Sequence, residues 1–209
     1  MSAAPAPSVD GTIQLLLTVG ECKATLRQGW VENGVRDPES VAAHMHRMSV
    51  LCMLCPDATL DRDRMIKMAL SHDVPEAIAG DVTPAMKVAK DVKAAKERKG
   101  MCDMAALVPG NEGLALMAAL WEEYEAQETR EAHFVRDMDL LEMMLQAYRY
   151  EATDAKDLSG FFSAVPRLQH PWAKSIGERL LSLREERKAG AANLVPLPKD
   201  LATKPLPAE

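Results

Sequence analysis

Apolar residues recur at three- and four-residue intervals along most of the chain and almost never alternate, so the pattern predicts helices and no credible hairpin. A first helical stretch is expected from about Thr12 to Gln28, with Ile13, Leu16, Leu17, Gly20 and Ala24 on one side. "RQGWVENGVRDPES" then reads as a loop with turn signals at Gly29, Asn33-Gly34 and Asp37-Pro38. "ESVAAHMHRMSVLCMLC", stopped by Pro56, is a second helix, and a third runs from about Asp61 to Asp73. "VTPAMKVAKDVKAAKERK" predicts a polar, lysine-rich helix with a solvated face, Thr83 as its N-cap and Pro84 in its first position. "NEGLALMAALWEEYEAQ" and "EAHFVRDMDLLEMMLQAYRYE" follow as helices, and "PWAKSIGERLLSLREERK" is the last long one, after a loop near Ser159-Gly160. Residues 1–9 are rich in Ala, Pro and Ser and are expected to be disordered. The tail from Gly190, with Pro196, Pro198, Pro205 and Pro207, is expected to be a flexible extension. Residues 10–189 thus make a single all-α domain.

The sixth predicted helix departs from a simple amphipathic pattern. Phe134, Met138, Leu141, Leu145 and Tyr148 form one apolar face, and Val135, Leu140, Met143, Met144 and Ala147 make most of the rest apolar too. A helix apolar nearly all round belongs in the centre of a bundle. Asp139, Glu142 and Gln146 nevertheless share a narrow polar strip, either a thin solvated edge or the lining of an internal cleft. Asp137 competes with Asp139 as a candidate ligand, and periodicity favours neither.

"SHDVPEAIAGDVTP" supplies a second irregularity, because an apolar helix runs into His72 and Asp73. Val74 precedes Pro75 and is pushed out of the helical region, so the chain breaks here and the two side chains can turn toward one point. Glu76 lies about one turn on, Gly80 permits a tight bend, and Asp81 follows. Asp81 and Thr83 also suit turn and capping roles, and Glu76 a first-turn acid favoured by the helix dipole. His44 lies on the buried stripe Val41, His44, Met48, Leu51, whereas His46 points elsewhere. A lone histidine on such a face is more often a satisfied core residue. Beside a His-Asp pair, it becomes a candidate metal ligand.

Composition narrows the classes. Aromatic residues are 4% of the 209, while Met numbers 13, which suits a helical core. The net charge of -6 argues against a nucleic-acid polymer as partner. No apolar run is long enough for a membrane span, and "MSAAPAPSVD" has neither the basic nor the apolar region of an export signal. Cys22, Cys52, Cys55 and Cys102 are therefore expected as reduced thiols in a cytoplasmic protein. The C-x-x-C at Cys52 and Cys55 lacks further close ligands and reads as core.

Taken together, "RQGW", "PESVAAHMHRM", "MALSHDVPEAIAGDVTP" and "FVRDMDLLEMMLQAYRYE" resemble the HD-domain metal phosphohydrolases, and most closely the HD-domain 5′-deoxynucleotidases, over roughly Thr12 to Lys188. The resemblance implies an HD-type helical bundle with a metal site between its central helices. It implies His44, His72, Asp73 and Asp139, rather than Asp137, as ligands of one divalent ion. It implies Glu76 and Asp81 as the acids that handle the attacking water and the leaving oxygen. Arg27 is implied as the phosphate-holding residue, and Trp30 as an aromatic against the deoxyribose that crowds out a 2′-hydroxyl. The implied substrate is a small molecule, a deoxyribonucleoside 5′-monophosphate, and the implied assembly is a homodimer, for which apolar helices such as "GLALMAALW" offer an interface. Two His and two Asp ligands suit Mn, Co, Fe or Zn better than Mg. The rival readings keep the bundle and change its work. One is an HD phosphohydrolase for a nucleoside triphosphate, a guanosine polyphosphate or a cyclic nucleotide; the other is an inactive nucleotide-binding HD module.

Overall fold

A computed structural model describes residues 8–154 and 156–191. Its elements are α1 (Val9–Gly20), α2 (Gln28–Glu32), α3 (Val41–Met53), α4 (Arg62–Ser71), α5 (Glu76–Ala79), α6 (Lys90–Leu107), α7 (Glu112–Ala126), α8 (Arg130–Asp154) and α9 (Pro171–Lys188), with short 3-10 turns between some of them. Among the described residues the only β feature is an isolated antiparallel bridge between Leu26 and Ser40. The fold is all-α, as the pattern predicts.

At the centre α3, α4 and α8 pack on one another, with α7 against α4 and α9 against α8. Phe134, Val135, Met138, Leu141, Met144 and Ala147 of α8 are all buried, which is the central position its composition predicts. They share a core with Met48 and Leu51 of α3 and Met65 and Met68 of α4. A smaller cluster gathers Val41 and Met45 of α3 with Val74, Met101, Met104 and Trp121. His44 sits on α3 between residues of the two clusters, and α8's polar strip is turned inward: Glu142 and Gln146 are buried.

Several expected boundaries shift, each for a physical reason. The first helix stops at Gly20 instead of Gln28. Downstream of it, Arg27 N–H donates to Glu39 O and Val41 N–H to Thr25 O, so the backbone there pairs with the segment ahead of α3. The apolar stripe of α1 also faces outward: Ile13, Leu16 and Leu17 are exposed, while Leu15 and Val19 pack on the smaller core. The loop after Arg27 contains α2, whose first N–H, on Gln28, donates to Asp81 Oδ2 at 2.7 Å. That cap comes from 53 residues away and leaves no local signal.

The lysine-rich helix begins at Lys90 after Ala89, not at Thr83. Pro84–Met86 form a separate 3-10 turn, and Lys87 has φ 53°, a left-handed residue that ends helical continuity. The Thr83 hydroxyl donates instead to the Glu32 carboxylate. The helix is not solvated throughout, since Glu97, Gly100, Met101 and Met104 are buried. At Gly100 an added Cβ would lie 3.3 Å from Pro75 O, so the missing side chain lets α6 close on the start of α5.

The break at the His-Asp pair is present. His72 is the C-cap of α4, Pro75 precedes α5, and Gly80, with φ 74°, ends it. At the N-terminus the Ser8 hydroxyl accepts the Gly11 N–H and α1 starts at Val9. The rest of the expected N-terminal tail, residues 1–7, and Pro196, Pro198, Pro205 and Pro207 of the expected C-terminal extension lie outside the described residues. No described helix is long and apolar enough to cross a membrane.

Candidate active site

Three of the central elements deliver side chains to one point. α3 carries His44, the end of α4 carries His72 with Asp73 next to it, and α8 carries Asp139. His72 Nδ1 lies 2.9 Å from Ala69 O. A carbonyl only accepts, so Nδ1 bears the hydrogen and Nε2 keeps its lone pair. His44 Nδ1 lies 2.6 Å from Glu142 Oε2 and donates to it, so Nε2 is the nitrogen left to take up a proton or a metal ion.

Both Nε2 atoms are buried and in no hydrogen bond. Asp73 Oδ2 stands 3.1 Å from His72 Nε2 and 3.8 Å from His44 Nε2, and Asp139 Oδ1 stands 3.4 Å from His44 Nε2. His44, His72 and Asp139 each offer a ligand atom within 4.8 Å of the others. Burying two such nitrogens without a partner is costly, and imidazole lone pairs facing carboxylates form a donor set that fits a divalent transition-metal ion.

The electrostatics agree with that fit. Burial and the Arg27 charge oppose a positive His44, yet Glu142 and Asp139 outweigh them and raise its pKa to about 10. The surroundings of Nε2 thus demand positive charge, from a proton or a cation. Burial also opposes ionisation of Asp139, but His44, Arg136 and Arg27 hold its carboxyl well below the usual range. For Asp73, burial is overcome by His72, Arg27 and His44, again in favour of the carboxylate.

Further residues, to which the sequence pattern assigns no site role, fix these groups. Arg47 donates to Glu142 Oε1 behind His44. The Tyr124 hydroxyl donates to Asp139 Oδ2 at 2.9 Å, and Arg136 Nη1 lies 3.0 Å from that hydroxyl and 3.3 Å from the same carboxylate oxygen. Tyr124 is on α7 and carries no sequence signal of its role. Glu142 was visible as part of the polar strip. We expect Glu142→Gln to weaken metal binding by about 10- to 100-fold, since the carboxylate sets His44's tautomer and basicity. A chelator-competition titration reads this directly.

A cleft of about 780 Å3 opens over the centre, lined among others by Arg27, Trp30, Asp73, Glu76, Asp81 and Asp139. Arg27 Nη1 lies 3.2 Å from Asp73 Oδ2 and 4.0 Å from Asp81 Oδ2, and Nη2 lies 3.8 Å from Asp139 Oδ1. Burial disfavours its charge, but Asp73, Asp139, Asp81 and Glu76 more than compensate and keep it a cation. Glu76 is buried with Lys93 Nζ 3.5 Å from Oε1, while Oε2 has no hydrogen-bond partner. Burial, reinforced by Asp73 and Asp81, pushes the Glu76 carboxyl well above the ordinary range. The Trp30 indole is held against Phe161, with ring centroids 4.4 Å apart, and by the edge of Tyr150 at 5.3 Å.

Asp137 is elsewhere. Its carboxylate accepts the backbone N–H groups of Gln169 and His170, at 2.6 Å for the latter, and so pins the entry to α9. Asp137→Ala leaves those donors unpaired and is expected to cost about 1–3 kcal/mol of stability. Activity per folded molecule should not change, which denaturant melts and turnover assays read side by side.

His44, His72 and Asp139 thus form a cluster that could hold a metal ion, and the comparisons give the family. The HD-domain family profile matches residues 19–176, and the chain belongs to that family. Among named relatives it is 40% identical over 197 residues to the 5′-deoxynucleotidase HDDC2 of Xenopus laevis, covering 92% of this chain and 96% of that one. It is 39% identical over 193 residues to the 5′-deoxynucleotidase hdd1 of Schizosaccharomyces pombe, covering 89% and 95%. A conserved hypothetical protein from Pyrococcus furiosus superposes with a TM-score of 0.65 at 33% identity, over 85% of this chain and 99% of that one. A predicted metal-dependent phosphohydrolase from Magnetospirillum magnetotacticum superposes with a TM-score of 0.64 at 26% identity, over 88% and 98%.

Proposed function

We infer that the protein is a metal-dependent 5′-deoxynucleotidase, which hydrolyses deoxyribonucleoside 5′-monophosphates to deoxynucleoside and phosphate. The observation that carries this reading is the pair of buried, unbonded imidazole nitrogens of His44 and His72. They converge with Asp73 and Asp139 under a cleft that also holds Arg27, Glu76 and Asp81. Relatives named for this activity, about 40% identical over nine-tenths of the chain, support the same reaction.

His44, His72, Asp73 and Asp139 would hold the metal ion. When bound there, a divalent cation would offset charge on the phosphoryl group and lower the pKa of a water. The Arg27 fork, kept charged by three aspartates, presents two N–H groups to phosphate oxygens. Glu76, raised by burial, suits the group that carries a proton to the departing 5′-oxygen as the P–O bond breaks. Asp81 uses Oδ2 to cap α2, and its other oxygen accepts the proton that the attacking water loses. Trp30 packs on the deoxyribose and leaves no room for a 2′-hydroxyl. Imidazole ligands favour Mn, Co, Fe or Zn over Mg. A cytoplasmic homodimer fits the free cysteines and the outward apolar face of α1. Light scattering that returns only the monomer mass would remove the dimer.

The substrate class is tested by supplying dAMP, AMP, dADP, dATP and a cyclic nucleotide in turn. Phosphate should appear from dAMP alone. Equal release from AMP would remove the sugar selectivity, and pyrophosphate or triphosphate from dATP would replace the monophosphatase reading.

A further inference from the structure

A polar chain runs behind the cleft, from its sugar-facing wall to the metal-facing histidine. Trp30 Nε1 donates to Glu39 Oε1 at 3.0 Å. Glu39 Oε2 lies 3.7 Å from Arg47 Nη2. The same guanidinium nitrogen donates to Glu142 Oε1, and Glu142 Oε2 accepts from His44 Nδ1. Glu39 and Arg47 do not line the substrate cleft; they face a second depression, which they share with Gln146 and Tyr150.

An indole has a single N–H, fixed in the ring plane, so its acceptor sets the rotation of the whole ring. Trp30 is 2% exposed, and a buried indole N–H without a partner is costly. Glu39 is that partner. Its backbone is tied on both sides: Glu39 O accepts the Arg27 N–H at 2.9 Å, and Glu39 N–H donates to the Tyr150 hydroxyl at 2.8 Å. Two carboxylates, Glu39 and Glu142, share the one cation of Arg47, so removing it unbalances both ends of the chain.

We propose that Glu39 and Arg47 are specificity-determining positioning residues: through Trp30–Glu39–Arg47–Glu142–His44 they fix the indole against the sugar and tie that wall to the metal-facing histidine. The proposal rests on the sugar role assigned to Trp30. It adds that discrimination against a 2′-hydroxyl depends on residues that never touch the substrate.

The test is a double-mutant cycle on selectivity, using Glu39→Met, Glu39→Gln, Trp30→Phe and the Glu39→Met/Trp30→Phe pair in the Mn-loaded protein. Glu39→Met should lower the ratio of kcat/KM for dAMP over AMP by about tenfold or more, mainly through faster AMP hydrolysis. Glu39→Gln keeps an oxygen that accepts the indole N–H and should retain most of the ratio. In the Trp30→Phe background, which has no N–H, Glu39→Met should add nothing. Arg47→Met should lower the ratio and also weaken metal binding in chelator competition. Equal losses in Glu39→Met and Glu39→Gln, or an undiminished Glu39→Met effect in the Trp30→Phe background, would overturn the proposal in favour of general destabilisation. The Trp30 indole N–H resonance, assigned with Trp30→Phe, gives an independent readout. It should shift in Glu39→Met and Arg47→Met even if the wild type hydrolyses AMP and dAMP equally, a result that would remove the sugar role alone. An unmoved resonance would remove the chain itself.

Discussion

Asp139→Ala is expected to abolish metal-dependent phosphate release, by roughly a thousandfold or more, while leaving the helical circular dichroism unchanged. The carboxylate is the ligand atom that the central helix α8 brings to the Nε2 atoms of His44 and His72. Its second oxygen is already held by the Tyr124 hydroxyl, so the orientation of the first is preset. Without it Arg27 also loses one of the three aspartates around it, which shifts the phosphate-holding cation as well. Asp137→Ala is the matched control, two residues away on the same helix. The pair should give opposite outcomes: Asp139→Ala folded and inactive, Asp137→Ala weakened and active. Full activity in Asp139→Ala would remove this residue from the ligand set.

Glu76→Gln should lower kcat by about 10²- to 10⁴-fold, with metal affinity retained and KM little changed. The side chain is buried, Oε2 lacks a partner, and the substitution conserves shape while removing the transferable proton. The sign of the pH dependence follows from the raised pKa. An acid that acts protonated loses function as pH rises through its pKa, so the wild type should show an alkaline limb that the Gln variant lacks. Stability should respond as well. A carboxyl whose folded pKa lies above its unfolded value destabilises the fold progressively as pH rises from the unfolded toward the folded pKa. In chelator-stripped protein at neutral pH, Glu76→Gln should therefore melt no lower than the wild type. An active variant with an unchanged pH profile would remove Glu76 from proton transfer.

Much of this arrangement was legible in local pattern. The all-round apolarity of α8 announced a central helix, whereas its polar strip read equally as a solvated edge or a cleft lining, and only the burial of Glu142 and Gln146 decides between them. Val74-Pro75 announced the break that lets His72 and Asp73 face one point. What escaped was held by long-range contacts. α2 depends on a cap from Asp81, and the end of α1 on backbone pairing ahead of α3. The start of α6 depends on a left-handed Lys87, a conformation no residue type there advertises. The outward face of α1 looked like core because periodicity reports amphipathicity and not which side is covered. Tyr124, Arg136 and Arg47 carry no site signal in the sequence, and only the fold brings them behind Asp139 and His44.

Hydrolysis of a deoxynucleoside monophosphate is expected to require a metal ion held by His44, His72, Asp73 and Asp139. The most direct test of that requirement is phosphate release from dAMP by chelator-stripped protein, before and after adding Mn, Co, Zn or Mg separately. The stripped protein should release none, and a transition metal should restore release, with Mg the least effective. Undiminished release from the stripped protein would contradict that requirement.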